Sequence, residues 1–340
     1  MIILDTLQTV RAVAQHVFRY TILRPRGTIC APAYGRILTA FPGDLWGVYS
    51  VALSPDNRLL ATGGYFAVRV YDLQTQALVR RLPAAAHTNC VVMFSPDGRF
   101  MASSTSSYRT RVWDTARWRL DWEAPAAIIA FAPDGNQFAA LGEEGLAVWS
   151  MADRSAIASL PLEPMPLYSA AFSPDGMLLV AGCDDGVVVW DVAARRQDVV
   201  LKGVPRYAAW NKTWHSAPAS AVAFSGDGRL LAGGMKDGHI QIWETGVWDE
   251  PRTLERDGRH NITAIAFTPD ARCVLEVGLG TIRVWRTDTW ELDHVLRFEL
   301  DGDPFRITGV ALSLDGKLLA MCNWAGPQVC VWQAPDSLCL

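Results

Sequence analysis

The chain has 340 residues, half of them hydrophobic and 19% charged, with 31 Lys and Arg against 35 Asp and Glu for a formal charge of −4. That balance lacks the basic footprint of a nucleic-acid binder, so no nucleic-acid partner is expected. No uninterrupted apolar run is long enough to span a bilayer, and Asp5 interrupts an N-terminus that has no basic segment, so no export signal and no membrane association are expected.

Residues 1–35 form an N-terminal extension. Leu4, Leu7, Val10, Ala14 and Val17 recur at helical spacing, which predicts an amphipathic helix packed on the rest of the chain. Leu7-Gln8-Thr9 can also be laid over Leu73-Gln74-Thr75, which leaves a vestigial strand open as the alternative. Arg36 to Phe41 has strand character and precedes a unit that recurs seven times.

Each unit opens with a short apolar run and a tight turn: Ser54-Pro55-Asp56-Asn57, Ser95-Pro96-Asp97-Gly98, Ala132-Pro133-Asp134-Gly135, Ser173-Pro174-Asp175-Gly176, Ser225-Gly226-Asp227-Gly228, Thr268-Pro269-Asp270-Ala271 and Ser313-Leu314-Asp315-Gly316. A large aromatic answers each turn about sixteen residues later: Tyr71, Trp113, Trp149, Trp190, Trp243, Trp285 and Trp332. Proline presets the turn, aspartate suits its second central position, and glycine takes the left-handed conformation after it. Asn57 tolerates that conformation, whereas Ala271 predicts a distorted sixth turn. Between turn and aromatic lie two further runs of strand length, separated by a second tight turn such as Lys236-Asp237-Gly238. Runs so close together pair as antiparallel neighbours.

A fourth strand comes after each aromatic, as in Ala77 to Leu82. Units this small cannot bury their own faces, so they must stack as one array. Four antiparallel strands repeated radially make an all-β, seven-bladed β-propeller. The pattern resembles the WD-repeat family. The dipeptide that names the family stands at Trp113-Asp114 and Trp190-Asp191, with variants at Tyr71-Asp72, Trp149-Ser150, Trp243-Glu244, Trp285-Arg286 and Trp332-Gln333. The chain stops soon after Trp332, so the last unit lacks a fourth strand, and Arg36 to Phe41 is predicted to supply it and close the ring. The expected organisation is an extension over 1–35, one propeller over 36–333 and a tail over 334–340.

Propellers carry no chemistry by virtue of fold, so function must be sought in the loops. Strand order brings the connections entering each unit, and those between its second and third strands, to one end of the ring. The resemblance implies that this end, with the channel mouth, binds a protein or peptide partner. It carries Trp46, Tyr49, Tyr65, Phe66, Tyr108, Tyr168, Tyr207, Trp210, Trp214, Phe305 and Trp324, of which about half are expected to fill gaps between blades. Glu143-Glu144 and Asp184-Asp185 make an acidic corner there. Beside it, the long insertion Lys202 to Ala219 brings Arg206, Lys212 and His215 with no carboxylate, and predicts a lid or clamp. The family's histidine–aspartate–tryptophan network is offered only by His215, Asp237 and Trp243.

No nucleophile elbow, glycine-rich phosphate loop or metal-ligand spacing of the six histidines is present. The expectation is a non-catalytic scaffold without metal or cofactor, a monomeric propeller within larger assemblies. The alternative is a propeller hydrolase, lactonase or small-ligand binder using Glu144, Asp185 and His260 at the channel mouth. The seven cysteines, Cys30, Cys90, Cys183, Cys273, Cys322, Cys330 and Cys339, keep neither knuckle nor redox-pair spacing, so buried free thiols in a reducing cytoplasm are expected.

Overall fold

The turn after each first strand is built the same way around the molecule, and it fixes the blade. In the computed structural model the Ser173 hydroxyl donates to Asp175 Oδ1 at 2.5 Å and accepts from the Leu178 amide at 2.9 Å. The Gly176 amide closes the turn on the Ser173 carbonyl at 2.8 Å, with Gly176 in the left-handed region at φ 73°. Serine or threonine makes the same bond to its aspartate at Ser54, Ser95, Ser225, Thr268 and Ser313. Ala132 has no hydroxyl, and there the backbone bond from Gly135 to Ala132 at 3.0 Å and that from the Asn136 amide to Asp134 Oδ1 at 2.9 Å form without it.

The sixth turn departs from expectation. Ala271 takes φ 57° and its amide reaches the Thr268 carbonyl at 2.8 Å, so the turn is regular rather than distorted. Two bonds hold the alanine there: Thr268 to Asp270 at 2.7 Å, and the Thr287 hydroxyl to the Ala271 carbonyl at 2.8 Å. Surrounding bonds of this kind sustain a backbone conformation that alanine alone disfavours.

The structure describes residues 36–42, 47–83, 90–105, 107–163, 165–202, 206–208, 213–215, 217–254, 261–278, 280–297, 299–300, 303–304, 307–323 and 328–333. Among the described residues the regular elements are all strands, which form seven four-stranded antiparallel sheets, the blades of a β-propeller, and two two-stranded hairpins outside them. The first blade consists of Val48–Leu53, Leu59–Gly64, Ala67–Asp72 and Leu78–Pro83. Blades two to six come next in chain order, their first strands being Cys90–Phe94, Ala126–Phe131, Leu167–Phe172, Ala219–Phe224 and Ala264–Phe267. The seventh takes Ile307–Leu312, Leu318–Asn323 and Gln328–Gln333 from the C-terminal part of the chain. Arg36–Pro42 adds its fourth strand, running antiparallel from Arg36↔Gln333 to Pro42↔Gln328. Phe41, 2% exposed, packs on Tyr71 of the first blade at 4.9 Å between ring centroids. The extension over 1–35 and the tail over 334–340 lie outside the described residues.

Apolar cores lie between neighbouring blades. Trp190, fully buried, sits among Leu146, Val148, Leu160, Leu179 and Val188 of blades three and four. Third strands buried on both faces, such as Gly186–Asp191, result from that sandwiching. Where blades come closest the side chain disappears: a Cβ on Gly182 would lie 2.4 Å from the Ala219 carbonyl oxygen of the next blade. Hydroxyl groups bond neighbouring blades directly. Thr110 donates to the Ala126 carbonyl at 2.7 Å, Ser220 to Ile262 at 2.5 Å, and Thr308 to Val48 at 3.1 Å.

Three of the buried tryptophans donate to partners of different kinds. Trp113 Nε1 donates to Ser103 Oγ at 2.8 Å, Trp190 to the Pro161 carbonyl at 2.7 Å, and Trp285 to Glu276 at 3.1 Å. Glu276 is 1% exposed and is also paired with Arg283 at 3.2 Å, which compensates its burial. Cys90, Cys183, Cys322 and Cys330 are free thiols and, like Cys273, buried, and burial pushes the Cys90 and Cys322 thiols up to about 12.

Candidate functional site

Antiparallel order divides the loops between two ends. One end collects the Ser-Pro-Asp-Gly turns and the turns after each aromatic, and their polar groups are used internally. Asp72 Oδ1 accepts from the Gln74 and Thr75 amides at 3.0 and 2.8 Å, and Asp191 accepts from Ala194 at 2.8 Å. Asp114 accepts from the Arg117 amide at 2.8 Å, so the aspartate of each retained Trp-Asp pair, and Asp72 of the Tyr71-Asp72 variant, is a turn cap.

The other end collects the connections entering each blade and those between second and third strands. Tyr65 and Phe66 form such a connection in blade one, with ring centroids 5.0 Å apart at 84° and Phe66 38% exposed. Tyr49, on the first strand of the same blade, is half-buried. Tyr108 is 7% exposed and packs into the core of blades three and four. Burial, and then the Glu143 carboxylate, push its hydroxyl up to about 12.

Tyr168 is the second residue of the first strand of blade four, where the register shifts between Leu167 and Ser169. A bulge of this kind re-aims the side chain it contains. Tyr168 is 8% exposed, and its hydroxyl donates to Asp184 Oδ1 at 2.5 Å. The Lys236 ammonium lies 3.4 Å from the centroid of the Tyr168 ring and 3.8 Å from Asp184 Oδ1. Lys236 and Asp184 occupy equivalent connections of blades five and four, so the three residues join the two blades. The Lys236 amide also bonds the Pro218 carbonyl at 2.9 Å, fixing this turn to the foot of the insertion. Burial holds the ammonium below the ordinary lysine range, and Asp184 offsets only part of that effect. Burial and the Asp184 carboxylate both raise the Tyr168 hydroxyl.

Glu143, Glu144 and Asp185 are exposed on this end, as expected of the acidic corner, and Glu163 is exposed in the connection leading into blade four. The insertion contains a short hairpin outside the blades, Arg206–Ala208 with Thr213–His215, in which Tyr207 is paired with Trp214. Side-chain positions of Arg206, Tyr207, Trp214 and His215 lie outside the described residues, as do Trp46, Trp210, His260, Phe305 and Trp324 altogether. Asp237 bonds His239 Nδ1 at 3.0 Å, a histidine outside the network expected of His215, Asp237 and Trp243. The role of Lys236 is also unexpected, since its sequence context marks only a turn. The available signal is its equivalence to Asp184 in the neighbouring blade. Among the described residues no group of three His, Cys, Asp or Glu side chains is placed to hold a metal ion.

Four stretches of the chain match the family model described as WD domain, G-beta repeat: residues 35–72, 77–114, 160–191 and 211–244. Each stretch ends on the aromatic and the residue after it, and the first begins one residue before the strand that closes the ring. The sequence repeat is thus offset from the blade by one strand. A stretch of 251 residues is 26% identical to the Protein LST8 homolog of Drosophila melanogaster, covering 69% of this chain and 64% of that one. Another of 130 residues is 27% identical to Target of rapamycin complex subunit wat1 of Schizosaccharomyces pombe, covering 36% and 41%. A third, of 125 residues, is 29% identical to Small ribosomal subunit protein RACK1 of Schizosaccharomyces pombe, covering 35% and 38%. Each of these matches spans less than two thirds of the relative's length. The chain is thus a seven-bladed β-propeller whose turn chemistry and four matching stretches are those of WD repeats.

Proposed function

We propose that the protein is a non-catalytic scaffold that binds a protein or peptide through the aromatic-bearing loop end of the ring, in a reducing cytoplasm and within larger assemblies. The observation that carries this reading is the contrast between the ends. Turn aspartates at one end are spent on Ser173-type hydroxyls and amides, whereas the other end presents Phe66 and a run of exposed carboxylates that no turn uses. An exposed aromatic and exposed charge on one end suit the anchor and the polar rim of an interface. Two of the relatives carry names that make them subunits of a complex or a ribosomal subunit, which supports a partner for this chain as well.

The contributing residues are Trp46, Tyr49, Tyr65, Phe66, Tyr168, Arg206, Tyr207, Trp210, Trp214, Phe305 and Trp324, with the insertion acting as a clamp, whereas Tyr108 serves the core. Affinity capture from native lysate tests this directly. Trp46→Ala, Phe66→Ala and Trp324→Ala, and separately deletion of Ala208 to Ala217, are expected to lose the partner while the melting temperature stays near that of the parent. Capture unaltered in all of them would overturn the reading.

A further inference from the structure

Lys236 is a cation already seated in a recognition geometry. Its ammonium covers the face of the Tyr168 ring at 3.4 Å, a contact whose strength grows as water is excluded. Asp184 faces it at 3.8 Å and is itself oriented by the Tyr168 hydroxyl at 2.5 Å. The Asp184 side chain is 50% exposed and that of Lys236 22%, so the carboxylate is open to solvent while the ammonium is partly enclosed.

The occupant is poorly compensated. Burial draws Lys236 below the ordinary lysine range and the single carboxylate restores only part of that. Glu143, Glu144, Glu163 and Asp185 are exposed in the connections of blades three and four at the same end, and the insertion that enters blade five at that end carries Arg206 and Lys212. The ring face and the half-exposed Asp184 carboxylate are thus a cation site that one lysine fills incompletely. A guanidinium would serve the same ring and carboxylate better, since its plane stacks on an aromatic face and its fork of donors engages both carboxylate oxygens.

We propose that Tyr168 and Asp184 form a receptor for a lysine or arginine side chain on an extended segment of the partner protein, and that Lys236 occupies this receptor until the partner displaces it. The inference rests on the loop end being the partner-binding end. It adds the chemical class of the partner and an internal competitor. Lys236 can leave at small cost, because its flexible stem lets the ammonium return to water. The acidic rim steers cationic segments toward the corner and repels acidic ones.

The test uses the full chain and a fluorescein-labelled peptide alternating glycine and arginine, read by fluorescence anisotropy, with an alternating glycine and glutamate peptide beside it. Lys236→Gln keeps the stem and removes the competing charge. It is expected to tighten binding of the arginine peptide about tenfold, because a self-occupied site lowers apparent affinity by the occupied fraction. Lys236→Met is expected to do the same. Asp184→Asn is expected to abolish that binding both alone and combined with Lys236→Gln, and the glutamate peptide is expected to bind none of the proteins. Binding that weakens or stays unchanged in Lys236→Gln and Lys236→Met, or that survives Asp184→Asn, overturns the proposal. Melting temperatures identify any variant that has failed to fold. If Phe66→Ala abolishes partner capture while the arginine peptide ignores both lysine variants, this receptor is wrong and the broader assignment of the loop end stands.

Discussion

At the turn after each first strand, one hydroxyl decides whether the aspartate is bonded to the side chain of the turn's first residue. The bond from Ser173 to Asp175 belongs to a group of contacts each contributing about 1 kcal/mol. Ser173→Ala is expected to lower stability by about 1 kcal/mol, and Ala132→Ser, which creates the missing bond to Asp134, to raise it by a similar amount, both read by urea unfolding. The Ser173 hydroxyl and then the Met177 amide hold Asp175 below the ordinary carboxylate range. A depressed folded value stabilises the protein above the unfolded value, and that contribution fades as the pH falls through the folded one. The gap between Ser173→Ala and its parent is therefore expected to be full at neutral pH and to narrow below about pH 4; a gap that widens in acid would contradict the assignment. At Ala271 the left-handed backbone persists at φ 57° without glycine's freedom. Ala271→Gly is expected to stabilise by about 0.5–1 kcal/mol in the same unfolding experiment, since relief of the strain outweighs the extra chain entropy of glycine.

At the scale of elements, the blades are legible because their signals are local. A Ser-Pro-Asp-Gly turn and an aromatic about sixteen residues later lie within one sheet, and every pairing they imply is between sequence neighbours. The regular sixth turn is not legible, because the Thr287 hydroxyl that holds Ala271 comes from the turn after the third strand. Nor is the Tyr168–Asp184–Lys236 group, whose members come from two blades and span residues 168 to 236. Strand order places all three at the loop end without bringing them together. Tryptophan in the left-handed region at Trp118, Trp248 and Trp290 is equally unmarked, since nothing local favours a bulky residue there. The closing strand is legible by elimination: the last unit lacks a fourth strand and Arg36–Pro42 has no blade of its own. Phe41 carries much of that closure, buried among Val48, Val51, Tyr71 and Val329. Phe41→Ala is expected to destabilise by about 3–5 kcal/mol, and a chain beginning at Gly43 to unfold at markedly lower urea. A shortened chain that melts like the full one would contradict the closure.

The whole molecule separates what is repeated from what is not. Repetition is invested in packing: apolar cores between blades, glycine at close approaches such as Gly182, and turn aspartates bonded to their own turns. The irregular parts, Phe66 with Tyr65, the Lys236 group and the insertion, gather at one end. The central claim is that this end meets the partner. The direct measurement is site-specific photo-cross-linking in native lysate, with a benzoylphenylalanine replacing Phe66 at the loop end, and in separate proteins Met177 or Leu314, both exposed at the opposite end. The account predicts a discrete cross-linked protein from position 66 and none from 177 or 314. Cross-links from 177 or 314, with none from 66, would contradict it.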